Sequence, residues 1–555
     1  MHFPLPALQA CLDAQASELS DGSHLSLRPW LDALLAASQP VPSLNAISWD
    51  RVPSGALVRF CGMVQDVQDP EYYEGIFEER DASGGHSRLV TTKYRDSVLP
   101  AAGKHVVPTG THIWQRIPAV CVPLPSQSEW VARDVAGSAA DLSAATVAPT
   151  TRPKKRCVQH DDDIVMEEIS LEGDGQESMK KSRGNEKSVD DLCGSAGDAL
   201  TALMRYCDPW KRCNQGGFML KLYDEEESGI KVHDVVEIFG ILERETIEEE
   251  TESADSRSIP GGVHEIIHCI LRRRMDDACE INLPTRNSEE EKLALDAARQ
   301  NIASVRTAVV DALSSAFGGD DLAAEMTLLS TISRVVGRCG ELPVGKMSIN
   351  LMGCPSSADG GQISPVAASL REVLGQLLPL CPMLKITIDE LNASTIIPRK
   401  DHDANVIWPA ALQLPAGCAL VLDEANMSAG NLRDNGVKNG KFQIVLPAHT
   451  HAASALRELS EFQKIGYDFT YYNVYFPMDV TLLCISSSRS ILGLSVAVPV
   501  VPSRAISSPA PSHPGWLEAA RVYLGLASRL LPDLQLDGSL THSIQEMMPA
   551  GLDLS

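Results

Sequence analysis

Apolar and polar positions change their rhythm several times along this chain, and each change predicts a different kind of element. Near the start, Ala7 to Ala16 and Leu27 to Ala37 carry helical spacing as two short amphipathic helices. From Gly55 the rhythm becomes that of strands. Leu57 to Val67 is the first, an Asp69-Pro70 turn follows, and a second strand runs near Tyr72 to Glu78. Leu89 to Tyr94 and Val120 to Pro123 add two more. Residues 134–200 lose apolar periodicity and gather Ser, Gly, Asp, Glu and Lys, which reads as a disordered insertion. Strands resume at Phe218 to Tyr223, Lys231 to Leu242 and Val263 to Leu271. Short strands with Gly and Asp turns on both sides of a polar insertion predict one OB-like barrel split in sequence.

The second half alternates helix and strand. Glu289 to Phe317 and Leu322 to Val336 have helical spacing. Strands at Ser348 to Leu351, Lys385 to Ile388, Cys418 to Leu422 and Val480 to Ser486 are interleaved with helices near Pro365 to Leu378 and Ala453 to Lys464. Trp516 to Leu531 makes a final helix. That order predicts a doubly wound α/β domain.

Composition narrows the class. At 555 residues the chain is long enough for three or four domains. A net charge of −25 argues against binding nucleic acid through the protein as a whole and favours partners with basic faces. Aromatic residues, at 5%, offer few stacking platforms for bases. The sequence contains no continuous apolar run long enough to span a membrane, and its N-terminus lacks the basic and apolar regions of a signal peptide. The 14 cysteines are scattered with no C-x-x-C, which suits free thiols in a reducing compartment. An intracellular protein is expected.

The most informative chemistry is L-V-L-D-E at Leu420 to Glu424, an apolar strand ending in two acids. Ring ATPases hold magnesium and polarise water with such a pair. Asp423 and Glu424 are therefore a Walker-B-like site. The phosphate loop that should precede it is missing. About seventy residues upstream the chain reads M-S-I-N-L-M-G-C-P-S-S-A-D-G-G (Met347 to Gly361), with no Lys-Ser or Lys-Thr after the glycines. A P-loop needs that lysine to neutralise phosphate and that hydroxyl to hold the metal. The expectation is a degenerate AAA+-like domain that is not an enzyme and takes no cofactor. The alternative is an ATPase and remodeller with a divergent phosphate loop built from Gly353 to Gly361.

Other motifs carry less. His264-Glu265-Ile266-Ile267-His268 is a formal H-E-x-x-H, but its β-branched neighbours make it a strand. Positions four apart on a strand lie about 13 Å from one another, too far for one zinc. No metal site and no catalytic set is expected. Arg152-Pro153-Lys154-Lys155-Arg156, inside the polar insertion, has the composition of a nuclear import signal, carried by Arg152, Lys154, Lys155 and Arg156. It predicts an import receptor as partner and the nucleus as location. Cys207 and Cys213 are expected to be free thiols, and Glu248 to Glu252 a solvated loop.

Several segments together resemble the family of mini-chromosome maintenance complex-binding proteins. They are V-P-S-L-N at Val41 to Asn45, V-Q-D-V-Q-D-P-E-Y-Y ending at Tyr73, Lys93-Tyr94-Arg95-Asp96, and C-V-P-L-P-S-Q-S-E-W-V at Cys121 to Val131. Further on come K-V-H-D-V-V-E-I-F-G-I-L from Lys231, G-D-D-L-A-A-E from Gly319, L-P-V-G-K-M-S-I-N-L-M-G-C-P, L-Q-L-P-A-G-C-A-L-V-L-D-E and Tyr467-Asp468-Phe469. The resemblance covers about residues 41–535. It implies a nuclear adaptor that binds minichromosome maintenance helicase subunits and regulates assembly or unloading of the complex during DNA replication, with a role in sister-chromatid cohesion. It implies no membrane partner and no direct grip on nucleic acid. Family chains run on through a further basic helical segment, so the C-terminal lid is expected to be cut short here.

The expected domains are an N-terminal helical segment over 1–45, the first part of the OB-like domain over 46–133, and the insertion over 134–200. The second part of the OB-like domain follows over 201–280 and a helical linker over 281–340. The degenerate AAA+-like domain without a P-loop spans 341–500, and the shortened lid 501–555.

Overall fold

A computed structural model describes residues 25–131, 217–244, 265–275, 300–428 and 455–528, with shorter breaks inside these spans, together with Leu12 and Asp13. The insertion expected over 134–200, with its basic cluster, lies outside the described residues, as do Cys207, Cys213 and the acidic run at Glu248 to Glu252.

After helix α1 (Arg28–Ala36), the chain lays down β1 (Leu57–Val67), β2 (Glu71–Glu74), β3 (Ile76–Asp81), β4 (Ser87–Thr91), β5 (Lys104–Pro108) and β6 (Ile113–Pro123). Then come β7 (Phe218–Leu222), β8 (Val235–Arg244) and β9 (Glu265–Met275). The pairing order β1-β8-β9-β7-β6 closes on itself because β6 also pairs with β1. All contacts around the ring are antiparallel except β7 with β9. This is a closed five-stranded barrel, consistent with the OB-like domain expected from sequence, and its strands come from both sides of the insertion. Val58, Phe60, Phe218, Leu220, Val236, Ile238 and Ile267 fill it. Asn45, the last residue of the V-P-S-L-N segment, seals β1: its side-chain amide donates to Cys61 O at 2.7 Å and accepts from Cys61 N at 2.8 Å.

Three expectations in this half need correction. The strand expected near Tyr72 to Glu78 is two strands, broken at Gly75, where the Trp114 ring lies so close that a Cβ would sit 2.2 Å from it. The segment Leu89 to Tyr94 ends as a strand at Thr91 and joins a separate three-stranded sheet, β4-β3-β5. Tyr94 leaves it with φ at 65°, and its ring is buried against Tyr223. The strand expected from Lys231 starts at Val235, because Asp234 accepts a hydrogen bond from Lys231 N and His233 takes φ at 72° in the turn.

The second half begins with α2 (Ile302–Ala316) and α3 (Asp321–Ile332), then the hairpin β10 (Gly337–Cys339) and β11 (Leu342–Val344). There follow β12 (Ile349–Met352), α4 (Pro365–Leu377), β13 (Met383–Lys385), α5 (Ile388–Ala393), β14 (Arg399–Asp401), β15 (Val406–Trp408) and β16 (Ala419–Asp423). The chain continues through α6 (Ala455–Phe462), β17 (Lys464–Asp468), β18 (Asn473–Pro477), β19 (Thr481–Ser486), β20 (Val496–Pro499) and α7 (Trp516–Ala527). Strands β13-β16-β19-β12-β20 form a parallel sheet. Such a sheet is covered on both faces, which explains why β16 is apolar and buried at every position before Asp423. Each of Leu420, Val421 and Leu422 contributes about 1.5–3 kcal/mol by burial. Helices α2, α3, α4 and α7 share one core on one side. Beside the main sheet, β15-β14-β17-β18 form a second one.

Boundaries shift here for local reasons. The strand expected over Lys385 to Ile388 stops at Lys385, and α5 begins at Ile388. The helix expected to reach Val336 ends at Ile332, where Ser333 turns extended and its hydroxyl donates to Ser330 O. Among the described residues no helix is long and apolar enough to cross a membrane.

Barrel and parallel sheet are not separate bodies. Met63, Val122 and Val235 from the barrel, with Val131 from the segment after β6, share a hydrophobic cluster with Leu384, Leu412, Leu420 and Leu482. The segment after β6 fastens the joint: Ser128 Oγ donates to Leu378 O at 2.5 Å, and Trp130 Nε1 to Gly375 O at 3.0 Å. The guanidinium of Arg521 lies 3.8 Å from the Trp130 ring centroid.

Candidate functional site

The parallel sheet places Asp423 and Glu424 at the carboxyl end of β16, the edge at which open α/β sheets bind ligands. Both carboxylates are already engaged there. Asp423 is fully buried; its Oδ2 accepts from Ser364 N at 2.7 Å and its Oδ1 from Ala425 N at 3.2 Å. Ser364 is the N-cap of α4, with Pro365 behind it as the first helical residue. The helix that would receive phosphate in a P-loop fold thus has an Asp423 oxygen at its cap. Glu424, 3% exposed, accepts from Ser490 Oγ at 3.0 Å and from Ile491 N at 3.2 Å. Burial pushes its carboxyl above the usual range.

Among the described residues, the side chains nearest to a nucleotide-binding role are engaged or placed elsewhere; part of the Gly353 to Gly361 loop lies outside the described residues. Cys354, next to Gly353 after β12, is buried; desolvation, with Asp423 adding to it, pushes its thiol up to about 12. Lys346 lies ahead of β12, at its amino end, and is bound to Asp479, Ser333 O and Thr481 Oγ1. Lys385, the register partner of Asp423, gives its ammonium to Glu390 at 3.4 Å. Ser486, at the end of β19, donates to Asn350 Oδ1 and Ser488 O. As arranged, these groups brace the fold.

A second polar constellation was invisible in the sequence. His233 and Gln65 from the barrel meet Tyr467, Gln413 and Ile407 from the α/β half. His233 Nδ1 donates to Leu414 O at 2.9 Å, so its Nε2 accepts from Tyr467 Oη at 2.8 Å. Tyr467 in turn accepts from Gln413 Nε2 at 2.9 Å, and Gln413 also donates to Gln65 O at 3.1 Å. Gln65 Nε2 donates to Ile407 O. Desolvation pushes His233 down to about 4, fixing it neutral. All four side chains, those of Gln65, His233, Gln413 and Tyr467, sit in segments that carry the family resemblance, but nothing in the sequence pairs them with one another.

The H-E-x-x-H segment is a strand, as expected: Glu265 opens β9, and His268 is fully buried inside it. His264 lies outside the described residues. His268 Nε2 meets Glu243 at 2.6 Å, and its Nδ1 meets Tyr223 Oη at 2.5 Å. Asp96, last residue of the Lys93-Tyr94-Arg95-Asp96 segment, stands in the same cluster. Two cations already neutralise Asp96: Lys221 Nζ at 2.6 Å and Arg116 Nη1 at 2.7 Å. Asp96 is held below the usual carboxylate range, since His268, Lys221 and Arg116 together outweigh its burial. This is an internal ion network that clasps the 92–96 turn to the barrel, with its positive charge supplied by protein. Arg152, Lys154, Lys155 and Arg156 lie outside the described residues.

Comparison with known proteins agrees with the resemblance read from sequence. Residues 34–550 match the family model described as "Mini-chromosome maintenance replisome factor". The chain is 30% identical to the mini-chromosome maintenance complex-binding protein of Gallus gallus, over 92% of this chain and 82% of that protein. The proteins of the same name from Danio rerio and Arabidopsis thaliana are each 28% identical, over 91% and 92% of this chain and 82% and 80% of theirs.

Proposed function

The chain belongs to the mini-chromosome maintenance replisome factor family, and from that premise we propose that it is a non-enzymatic nuclear adaptor that binds the mini-chromosome maintenance complex. In this reading it docks on helicase subunits, regulates assembly or unloading of the complex during DNA replication, and through that has a role in sister-chromatid cohesion. The name of its relatives supports the binding. The observation that carries the non-enzymatic part is the engagement of Asp423 and Glu424 by the protein's own backbone and Ser490. A carboxylate that must accept from Ser364 N to hold the α4 cap is not available to a metal–phosphate complex without dismantling that cap. The parallel sheet, with an acidic pair at the carboxyl end of β16, supports a degenerate AAA+-like reading of this half. Such a module can occupy a subunit's place in a ring while contributing no phosphate-binding lysine. The alternative, an ATPase with a divergent loop, gains nothing from this arrangement.

The test is affinity purification of the tagged full-length chain from nuclear extract, with mass spectrometry of the co-purifying proteins. Recovery of helicase subunits with one of them depleted supports a subunit-mimicking adaptor. A folded protein that recovers none of them refutes it.

A further inference from the structure

The Tyr467-Asp468-Phe469 segment has a use that the joint between barrel and sheet does not exhaust. Tyr467 is fully buried and held by His233 and Gln413, with its ring 4.7 Å from that of Phe476. From this anchor the β17–β18 hairpin leads to a turn that is built rather than loose. Asp468 Oδ1 accepts from Thr470 N at 2.8 Å, Tyr471 N donates to Phe469 O at 2.7 Å, and Phe469 N donates to Tyr472 O at 3.0 Å. Thr470 is held at φ 67°, an unfavourable region for a β-branched residue, which persists only where its surroundings enforce it. His402, in the turn just after β14, braces the hairpin turn by donating to Phe469 O at 3.1 Å.

The product of this bracing is a cluster of aromatic rings facing water. Tyr471 is 88% exposed, Tyr472 59% and Tyr475 42%. The Phe469 and Tyr472 rings stack with centroids 5.3 Å apart, His402 sits 6.2 Å from Tyr471, and Tyr475 lies over Gly466. Rings held at low remaining entropy and left exposed are the residue type that dominates protein–protein hot spots. They could also stack on bases, so charge must decide. At the base of the turn Arg399 and Lys400 are matched by Asp401 and Asp468, and Lys400 faces Asp66. Among the described residues around the turn there is no basic surplus to displace counterions from a phosphate backbone, and the chain as a whole carries −25. Aromatic faces on an acidic protein attract cations instead. The same chemistry already operates inside the molecule, where Arg116 covers the Tyr73 ring at 5.0 Å.

We infer that the Phe469–Tyr475 hairpin tip is a docking knob for an arginine-bearing basic face of a protein partner. Resting on the adaptor reading above, that partner is a protein of the mini-chromosome maintenance complex. Tyr471 and Tyr472 insert, and their ring faces receive guanidinium groups. Neither tyrosine belongs to a hydrophobic core among the described residues, so their replacement is expected to affect docking more than folding.

The experiment measures binding of purified full-length protein to immobilised, purified mini-chromosome maintenance complex, and in parallel to a single-stranded oligonucleotide. Tyr471→Leu/Tyr472→Leu is expected to weaken complex binding by about tenfold or more with its thermal midpoint unchanged, while Tyr471→Phe/Tyr472→Phe, which keeps the ring faces, stays within about twofold. If the leucine pair binds the complex as tightly as the parent, the knob is overturned and the adaptor reading stands. Parent protein that fails to bind the complex overturns both. Tyrosine-dependent binding to the oligonucleotide but not to the complex assigns the knob to nucleic acid and overturns a protein partner.

Discussion

Substituting His233 by asparagine removes an imidazole from the joint between barrel and sheet while keeping a residue type that tolerates its left-handed backbone. The native imidazole is 7% exposed and neutral, donating to Leu414 O and accepting from Tyr467 Oη. Protonation at Nε2 would set an N–H against a hydroxyl that is already pledged to it as donor. Burial therefore pushes the group from 6.5 down to about 4. The unfolded chain binds the proton first as pH falls, so this histidine's contribution is complete above about pH 6.5 and is lost progressively as pH falls toward 4. At 1.36 kcal/mol for each pH unit, the full loss is about 3 kcal/mol, and most of it has occurred by about pH 4.5. Buried carboxyls such as Glu424 and Asp66, raised by desolvation, titrate with the opposite sign at low pH, so the parent curve alone does not isolate His233. The difference between parent and variant does. Urea unfolding followed by tryptophan fluorescence, run from about pH 7.5 to about pH 4.5, should show the variant less stable than the parent by about 1–3 kcal/mol at neutral pH, with the gap shrinking as pH falls. Parallel pH curves for His233→Asn and the parent would show that the imidazole is not held neutral by this joint, and the reasoning would fail.

The strand-end acid gives a second test. Asp423→Ala leaves the buried N–H groups of Ser364 and Ala425 without their acceptor, and should lower unfolding stability by about 2–3 kcal/mol; calorimetric titration with magnesium nucleotide should be as flat for the parent as for the variant. The basic cluster gives a third. A fluorescent fusion in which Arg152, Lys154, Lys155 and Arg156 are all replaced by alanine should move from nucleus to cytoplasm, and unchanged nuclear fluorescence would remove the import assignment.

How much of this was legible beforehand depends on whether a feature is local. The β1 strand, Leu57–Val67, was read with its full bounds because apolar residues crowd it and turn residues flank it. So was the start of α4 at Pro365, where a serine cap and a proline announce a helix. The split barrel was legible because short strands with polar turns recur on both sides of the insertion. The break at Gly75 was not, since it answers to Trp114, which lies far along the chain and arrives only when β2 pairs with β6. The strand misplaced at Lys385 to Ile388 shows the other limit: the stretch Met-Leu-Lys-Ile-Thr-Ile at Met383 to Ile388 serves a strand and a helix start equally well, and sheet pairing with β16 decides.

The acidic pair shows the same division at the level of chemistry. Asp423 and Glu424 were found by their place after an apolar run, and the missing lysine downstream of Gly353 argued that they had no phosphate to serve. What they bind within the fold could not be read, because it depends on Ser364 N and Ile491 N, groups every residue but proline possesses and whose positions only the fold decides. The segments that carry the family resemblance gain a physical meaning from this. Ser128 and Trp130 bind the helix-covered sheet, His233 and Tyr467 hold each other across the joint, and Leu420 and Leu422 belong to the core that barrel and sheet share. Much of the recognisable sequence is therefore invested in fixing the barrel against the sheet. A protein whose task is to present a rigid composite surface needs that investment, whereas one that hydrolysed nucleotide would need Asp423 free. The brace at Ser364 and the joint at His233 argue together for presentation.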